Sequence, residues 1–273
     1  MGQHNSEKIK RVGVRTRMQR YFIDLTKEEV TEKGNIVIKG EDVHHLANVM
    51  RMKAGEDILC LTTDGFEALS KIDTITKEEV ICHLEGWTNQ NRELPIKVTI
   101  ASGLPKGDKL EWIIQKGTEL GASAFIPFQA ARSITKLDQK KSLKKRDRWE
   151  KIAKEAAEQS YRNIIPHVHP VSTFKELIQL AGEFDKCVVA YEESSKEGEQ
   201  SRFQTVLQQM KGGQTLLVVF GPEGGLAEKE IEELEAHGAV ICGLGPRILR
   251  TETAPLYALS AISYQTELLR GES

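Results

Sequence analysis

From Lys97 onward the chain alternates short apolar runs with longer amphipathic ones, and this alternation restricts the possible folds more than any other feature. KVTIASGL, AFIPFQA, the stretch from His167 to Val171, KCVVAYEE, TLLVVF and AVICGLG read as strands. Between and after them lie helical segments: DKLEWIIQKGTELG, the region from Arg146 to Tyr161, TFKELIQLA, RFQTVLQQM, AEKEIEELEAHG and PLYALSAISYQTELL. In the first, Leu110, Ile113, Ile114, Gly117 and Leu120 share one face and Gly121 is the stop; in the second, Trp149, Ile152, Ala153, Ala156 and Ala157 point inward. Parallel strands need crossover connections, so the pattern predicts a largely parallel α/β sheet with its binding loops at the strand C-terminal ends.

The N-terminal third follows another rule. MGQHNSEKIKRVGVRTR, residues 1–17, is basic without apolar period and reads as a flexible extension. From 18 to 86 the strand-like stretches RYFIDL, NIVIKG, EDILCLTT, FEALSKIDTI and EVICHLEG are separated by the turns Lys33-Gly34, Asp64-Gly65 and Thr76-Lys77. A short helix, DVHHLANVM, interrupts them with Asp42 near its N-cap, and a small β-barrel is the simplest architecture. WTNQNRELP, 87–95, is a polar linker, leaving 96–273 as the second domain.

With 273 residues, 39% hydrophobic and 29% charged, the chain has the composition of a soluble two-domain protein. It shows no signal-peptide pattern and no apolar run near the ~20 residues of a membrane span, so a cytoplasmic protein without a membrane partner is expected. Cys60, Cys82, Cys187 and Cys242 sit in apolar runs and never as C-x-x-C, which reads as buried thiols. His167 and His169 have no companion at ligand spacing, so no metal is expected. Charge is unevenly distributed. Between Met18 and Gln90 fourteen acids face eight bases, whereas Arg132 to Lys154 holds Arg132, Lys136, Lys140, Lys141, Lys144, Lys145, Arg146, Arg148, Lys151 and Lys154 against three acids. That run is either a solvated helix face or a footprint for phosphates.

Three strand ends carry candidate chemistry. TLLVVF runs into GPEGG and then a helix, a turn type that favours anions at the helix N-terminus. However, the loop has neither G-x-G-x-x-G nor a following G-K-[ST], and Glu223 would oppose a phosphate. An uncharged or cationic ligand, or simply a tight turn needing glycine, suits it better. Glu192 and Glu193 follow a second strand on the same rim. The third end is LGPRILRTETAP. Pro255 suits a first helical turn and Thr251 or Thr253 a capping oxygen, but neither need accounts for Arg247 or Arg250. Those guanidiniums must pair with Glu252 or Glu223, meet solvent, or meet a ligand.

VVFGPEGGL together with LGPRILRTETAPLYAL, preceded by KGDKLEWIIQKGTELG and EAAEQSYR, resembles the bacterial RsmE family of 16S ribosomal RNA uracil-N3 methyltransferases, in the SPOUT superfamily. The likeness runs from MQRYFI through the last helix, leaving out only 1–17. It implies a SPOUT-type trefoil-knotted, mainly parallel sheet domain behind an N-terminal PUA-like β-barrel that binds RNA. It implies S-adenosyl-L-methionine as cofactor, contacted by Ala190, Gly221, Glu223, Gly224, Gly225, Leu244, Gly245, Ile248, Leu249 and Ala254. Arg51 and Lys53, in HHLANVMRMKAGED, and the basic residues Arg132, Lys136, Lys144 and Lys145 become the RNA contacts, although the acidity of the barrel weighs against a simple electrostatic role.

For uridine N3 methylation, Arg250 is the expected stabiliser of the deprotonated base, as a fixed-charge fork, and Glu158, Gln159 and Arg162 are expected to complete the pocket, from a partner subunit if the site spans a homodimer. The last helix is apolar around most of its circumference, which suits sheet on one side and a second copy on another. The substrate is 16S rRNA or the assembled small ribosomal subunit. Ribose 2′-O-methylation of rRNA or tRNA, and a non-catalytic RNA-binding assembly factor, are the competing readings.

Overall fold

The computed structural model describes residues 18–135, 139–191 and 200–269. They form two compact units, one ending at Thr88 and one beginning at Asn89. In the first, strands β1 (Arg20–Phe22), β2 (Asn35–Lys39), β3 (Asp57–Leu61), β4 (Glu67–Ile75) and β5 (Glu79–Trp87) form one sheet in the order β1-β3-β4-β5-β2, antiparallel except for β1 with β3. Their alternate residues, among them Tyr21, Ile36, Ile58, Cys60, Ile72 and Cys82, bury one core. Arg20 and Glu67 enter it only as a pair, 2.7 Å apart.

Helix α1 (Lys27–Lys33) is absent from the sequence reading, yet its signal is local. Thr26 and Glu29 form a reciprocal capping box, and Gly34 closes the helix at φ 69°. The expected cap at Asp42 is not formed. Gly40, at φ 73°, turns the chain into helix α2 (Glu41–His44) with no side-chain cap, and a π-helical turn over His45–Val49 ends just before Arg51 at φ 54°.

The second unit holds β6 (Lys97–Gly103), α3 (Lys109–Glu119), β7 (Ala124–Gln129), α4 (Gln139–Gln159), β8 (His167–Val168), β9 (Ser172–Thr173), α5 (Phe174–Ala181), β10 (Lys186–Ala190), α6 (Gln200–Gln209), β11 (Thr215–Phe220), α7 (Glu228–Ala236), β12 (Val240–Cys242) and α8 (Ala254–Ser263). The strands run parallel in the order β12-β10-β11-β6-β7-β8, with β9 beside β7. Side chains alternate between two cores: Val98, Ile100, Val188 and Val218 face α3, α4, α6 and α8, while Ala101, Val189, Leu217 and Val219 face α5 and α7. Burial on both faces explains the unbroken apolar run of β11. Each buried valine, leucine or isoleucine among them contributes about 1.5–3 kcal/mol.

Two helices differ from expectation. α4 begins at Gln139, well before Arg146, because lysine-rich turns are good helix formers even without an apolar stripe. α8 has Pro255 in its first turn, but Thr253 at its N-cap makes no side-chain capping bond.

Candidate active site

Across four adjacent strands, Cys242, Ala190, Phe220 and Ser102 lie in one row, so the loops after β12, β10, β11 and β6 leave the sheet at one level. Tyr191 N–H donates to Cys242 C=O at 2.9 Å and ties two of them. Ala190, Gly221, Glu223, Gly224, Gly225, Leu244, Gly245, Ile248, Leu249 and Ala254 all belong to this edge, Ala254 as the first residue of α8.

The GPEGG loop is tightly folded. Gly225, at φ 70°, donates its N–H to Pro222 C=O at 2.8 Å, and a Cβ on Gly221 would stand 2.8 Å from Leu226 N. The end of β6 abuts it, since a Cβ on Gly103 would stand 2.5 Å from Pro222 Cδ. On its other side Arg132 donates Nη1 to Gly224 C=O at 3.2 Å. Turn geometry and close packing therefore require these glycines: Gly225 for its positive φ, Gly221 for its closeness to Leu226 and Gly103 for its closeness to Pro222.

The charges pair in a way the sequence did not indicate. Lys109, in the first turn of α3, puts Nζ 3.0 Å from Glu223 Oε1 and 3.3 Å from Glu252 Oε2. Glu223 also accepts from Lys106 N–H at 3.1 Å. Burial alone would raise the Glu223 carboxyl, but bonds from its own amide, the Lys106 amide and Lys109 outweigh it and hold the group below the ordinary carboxylate range. The Lys109 ammonium is held up chiefly by its bond to Glu223. Glu252 Oε2 is buried and, despite the nearby ammonium, no donor is aimed at it in hydrogen-bond geometry. A lysine in a helix's first turn opposes the macrodipole, a weak signal that does not by itself set Lys109 apart from a solvated lysine. Neither Arg247 nor Arg250 takes up Glu223 or Glu252. Both are exposed and have no ion-pair or side-chain hydrogen-bond partner among the described residues.

Glu158, Gln159 and Arg162 are not brought to this edge. α4 runs back along the sheet, and Arg162 donates to Thr118 C=O and Ala122 C=O at 2.8 and 2.9 Å, just before β7 begins. Its remaining donors meet Glu93, so this buried guanidinium is consumed by structure rather than open to a substrate. A six-residue strand separates the two edges by roughly 20 Å. Glu158 pairs with Lys154 and Gln159 is exposed.

Within the basic run, Arg146 and Arg148 bind Glu150 and Glu111. Lys144 and Lys145 have no ion-pair partner among the described residues. Arg51 and Lys53 are exposed on the first unit. Lys136, Glu192 and Glu193 lie outside the described residues.

Residues 92–263 match the family model described as an RNA methyltransferase domain, and 38–85 match one described as an RNA methyltransferase PUA domain. The chain is 66% identical over 255 residues to the ribosomal RNA small subunit methyltransferase E of Bacillus subtilis, covering 93% of this chain and all of the relative. Identity to the protein of that name from Synechocystis is 32%, covering 89% and 77% respectively. Among solved structures, a ribosomal RNA small subunit methyltransferase E from Neisseria gonorrhoeae bound to S-adenosyl methionine is similar at a TM-score of 0.73 and 28% identity, covering 90% of this chain and 97% of that one.

Proposed function

This chain belongs to the RNA methyltransferase family, and from that membership we infer that it transfers a methyl group from S-adenosylmethionine to N3 of a uridine in the 16S rRNA of the small ribosomal subunit. The observation that carries the reading is that the glycine-rich GPEGG loop and the loop bearing exposed Arg250 leave one sheet edge at one level, after Phe220 and Cys242.

The residues fit the cofactor. The tightly turned GPEGG backbone offers amides and carbonyls to a ligand, and half-buried Leu244 and Leu249 with exposed Ile248 offer apolar contact to a nucleoside. The carboxylates of Glu223 and Glu252, against one lysine, leave the loop pair with an excess of negative charge that opposes a phosphate. When bound, S-adenosylmethionine supplies an electrophilic methyl on a sulfonium sulfur. The protein must hold a base taken out of its stack and favour its N3-deprotonated form. Arg250 is the group for this, since its fixed charge stabilises the negative charge on the base without taking up a proton.

Homodimerisation and the trefoil knot are part of the same reading. Exposed Tyr257, Tyr264, Leu268 and Leu269 along and beyond α8 support a second copy there, and the convergence of the β10, β11 and β12 loops supports the knot. Glu158 and Gln159 then serve the base only from the second copy. Arg51, Lys53, Arg132, Lys144 and Lys145 contact rRNA phosphates, in the cytoplasm where subunits are assembled.

The test is labelled methyl transfer to small subunits from cells lacking the protein, followed by nucleoside analysis. N3-methyluridine should appear; a ribose-methylated nucleoside, or no label, would sink the assignment. Arg250→Ala is expected to abolish transfer while calorimetric cofactor binding persists, and unchanged turnover would remove Arg250 from the chemistry.

A further inference from the structure

We propose that Lys109 is a positioning residue of the cofactor site, whose single ammonium clamps the GPEGG loop to the RTETA loop; the proposal rests on the function inferred above. The two loops follow different strands, β11 and β12, which are not neighbours in the sheet because β10 lies between them. Backbone pairing therefore does not fix one loop against the other. Lys109 spans the gap with Nζ 3.0 Å from Glu223 and 3.3 Å from Glu252. α3 anchors the clamp, because Leu110, Ile113 and Ile114 bury its inner face. The preceding turn adds a second hold on Glu223 through Lys106 N–H.

Electrostatics favour this assignment over a merely structural pair. One cation faces two carboxylates from two different loops, and the buried Glu252 Oε2 has the Lys109 ammonium beside it at 3.3 Å as its ion-pair partner among the described residues. Each of the three side chains is also about a fifth to a third exposed, at 35%, 29% and 20%, a setting in which ion pairs contribute little to folding. The value of the clamp lies in holding two cofactor loops in one geometry before the ligand arrives.

The test uses the full chain and two readouts. Calorimetry with S-adenosylmethionine is expected to show roughly tenfold weaker binding by Lys109→Met, with Lys109→Arg close to the parent. Hydrogen exchange of the ligand-free protein should quicken in the peptides spanning Gly221–Gly225 and Arg250–Thr253 in Lys109→Met, with a melting temperature within about 3 °C of the parent. Parent-like affinity and exchange in a folded Lys109→Met would overturn the proposal. Should that variant lose its melting transition, Glu252→Gln releases the clamp from its other end, and unchanged affinity and exchange there would overturn it equally. Failure of the parent to bind S-adenosylmethionine would instead sink the inferred function, while the exchange comparison still decides whether Lys109 holds the loops.

Discussion

Gly103 has no room for a methyl group: a Cβ there would stand 2.5 Å from Pro222 Cδ and 2.8 Å from Pro222 N, inside any tolerated contact. Relief must come from moving the GPEGG loop, because Gly103 closes β6 in register with Phe128 of β7 and cannot retreat. Gly103→Ala is therefore expected to weaken S-adenosylmethionine binding by about tenfold or more in calorimetry. Gly86→Ala, where no heavy atom lies within 4 Å of the added carbon, serves as the control. Binding by Gly103→Ala at parental strength would show that the loop tolerates the shift. At this scale the sequence was legible where a residue type has one use and opaque where it has several. GPEGG announces a tight turn, whether or not a ligand meets it, but a lysine such as Lys109 fits a solvated face as readily as a clamp.

The elements carry a second anchor, at the other edge of the sheet. Arg162 follows α4 and spends its donors on Glu93, Thr118 C=O and Ala122 C=O, while Glu93 also accepts from the backbone of Asn163. The side chains are 3% and 16% exposed, so the bond joins the stretch read as a linker to the ends of α3 and α4 in low dielectric. Arg162→Met leaves Glu93 buried without its cation, which costs about 3–5 kcal/mol. Urea unfolding should show that loss, while turnover per folded molecule stays near the parent value; normal stability with lost turnover would return Arg162 to the active site. Glu158, Gln159 and Arg162 in EQSYR are expected from the family resemblance to complete the base pocket, but Arg162 is engaged elsewhere. Its partner, Glu93, lies about seventy residues away in sequence, and no local pattern reveals such a pairing. The strands and most helices were legible because burial imposes period, whereas the extra turns of α4 have no apolar stripe to announce them.

Over the whole molecule the question is which charges meet RNA. Acids outnumber bases fourteen to eight between Met18 and Gln90, so attraction to the phosphate backbone falls to the basic run and to isolated residues such as Arg51 and Lys53. Counting lysines and arginines in that run overstates its reach, because Arg146 and Arg148 already bind carboxylates and Arg132 gives one of its donors to Gly224. Lys144 and Lys145 near the start of α4 have no ion-pair partner among the described residues, and it is to them that the proposed phosphate contact is assigned. Each phosphate contact contributes about 0.7–0.9 to the slope of log affinity against log salt. The double variant Lys144→Glu with Lys145→Glu is thus expected to bind 16S rRNA more weakly at low salt and to lower that slope by about 1.5. Calorimetric S-adenosylmethionine affinity should be unchanged, since neither lysine belongs to the loops that form the cofactor site. An unaltered slope, measured by anisotropy over a salt series, would mean that the basic run is a solvated helix face and that rRNA is held elsewhere.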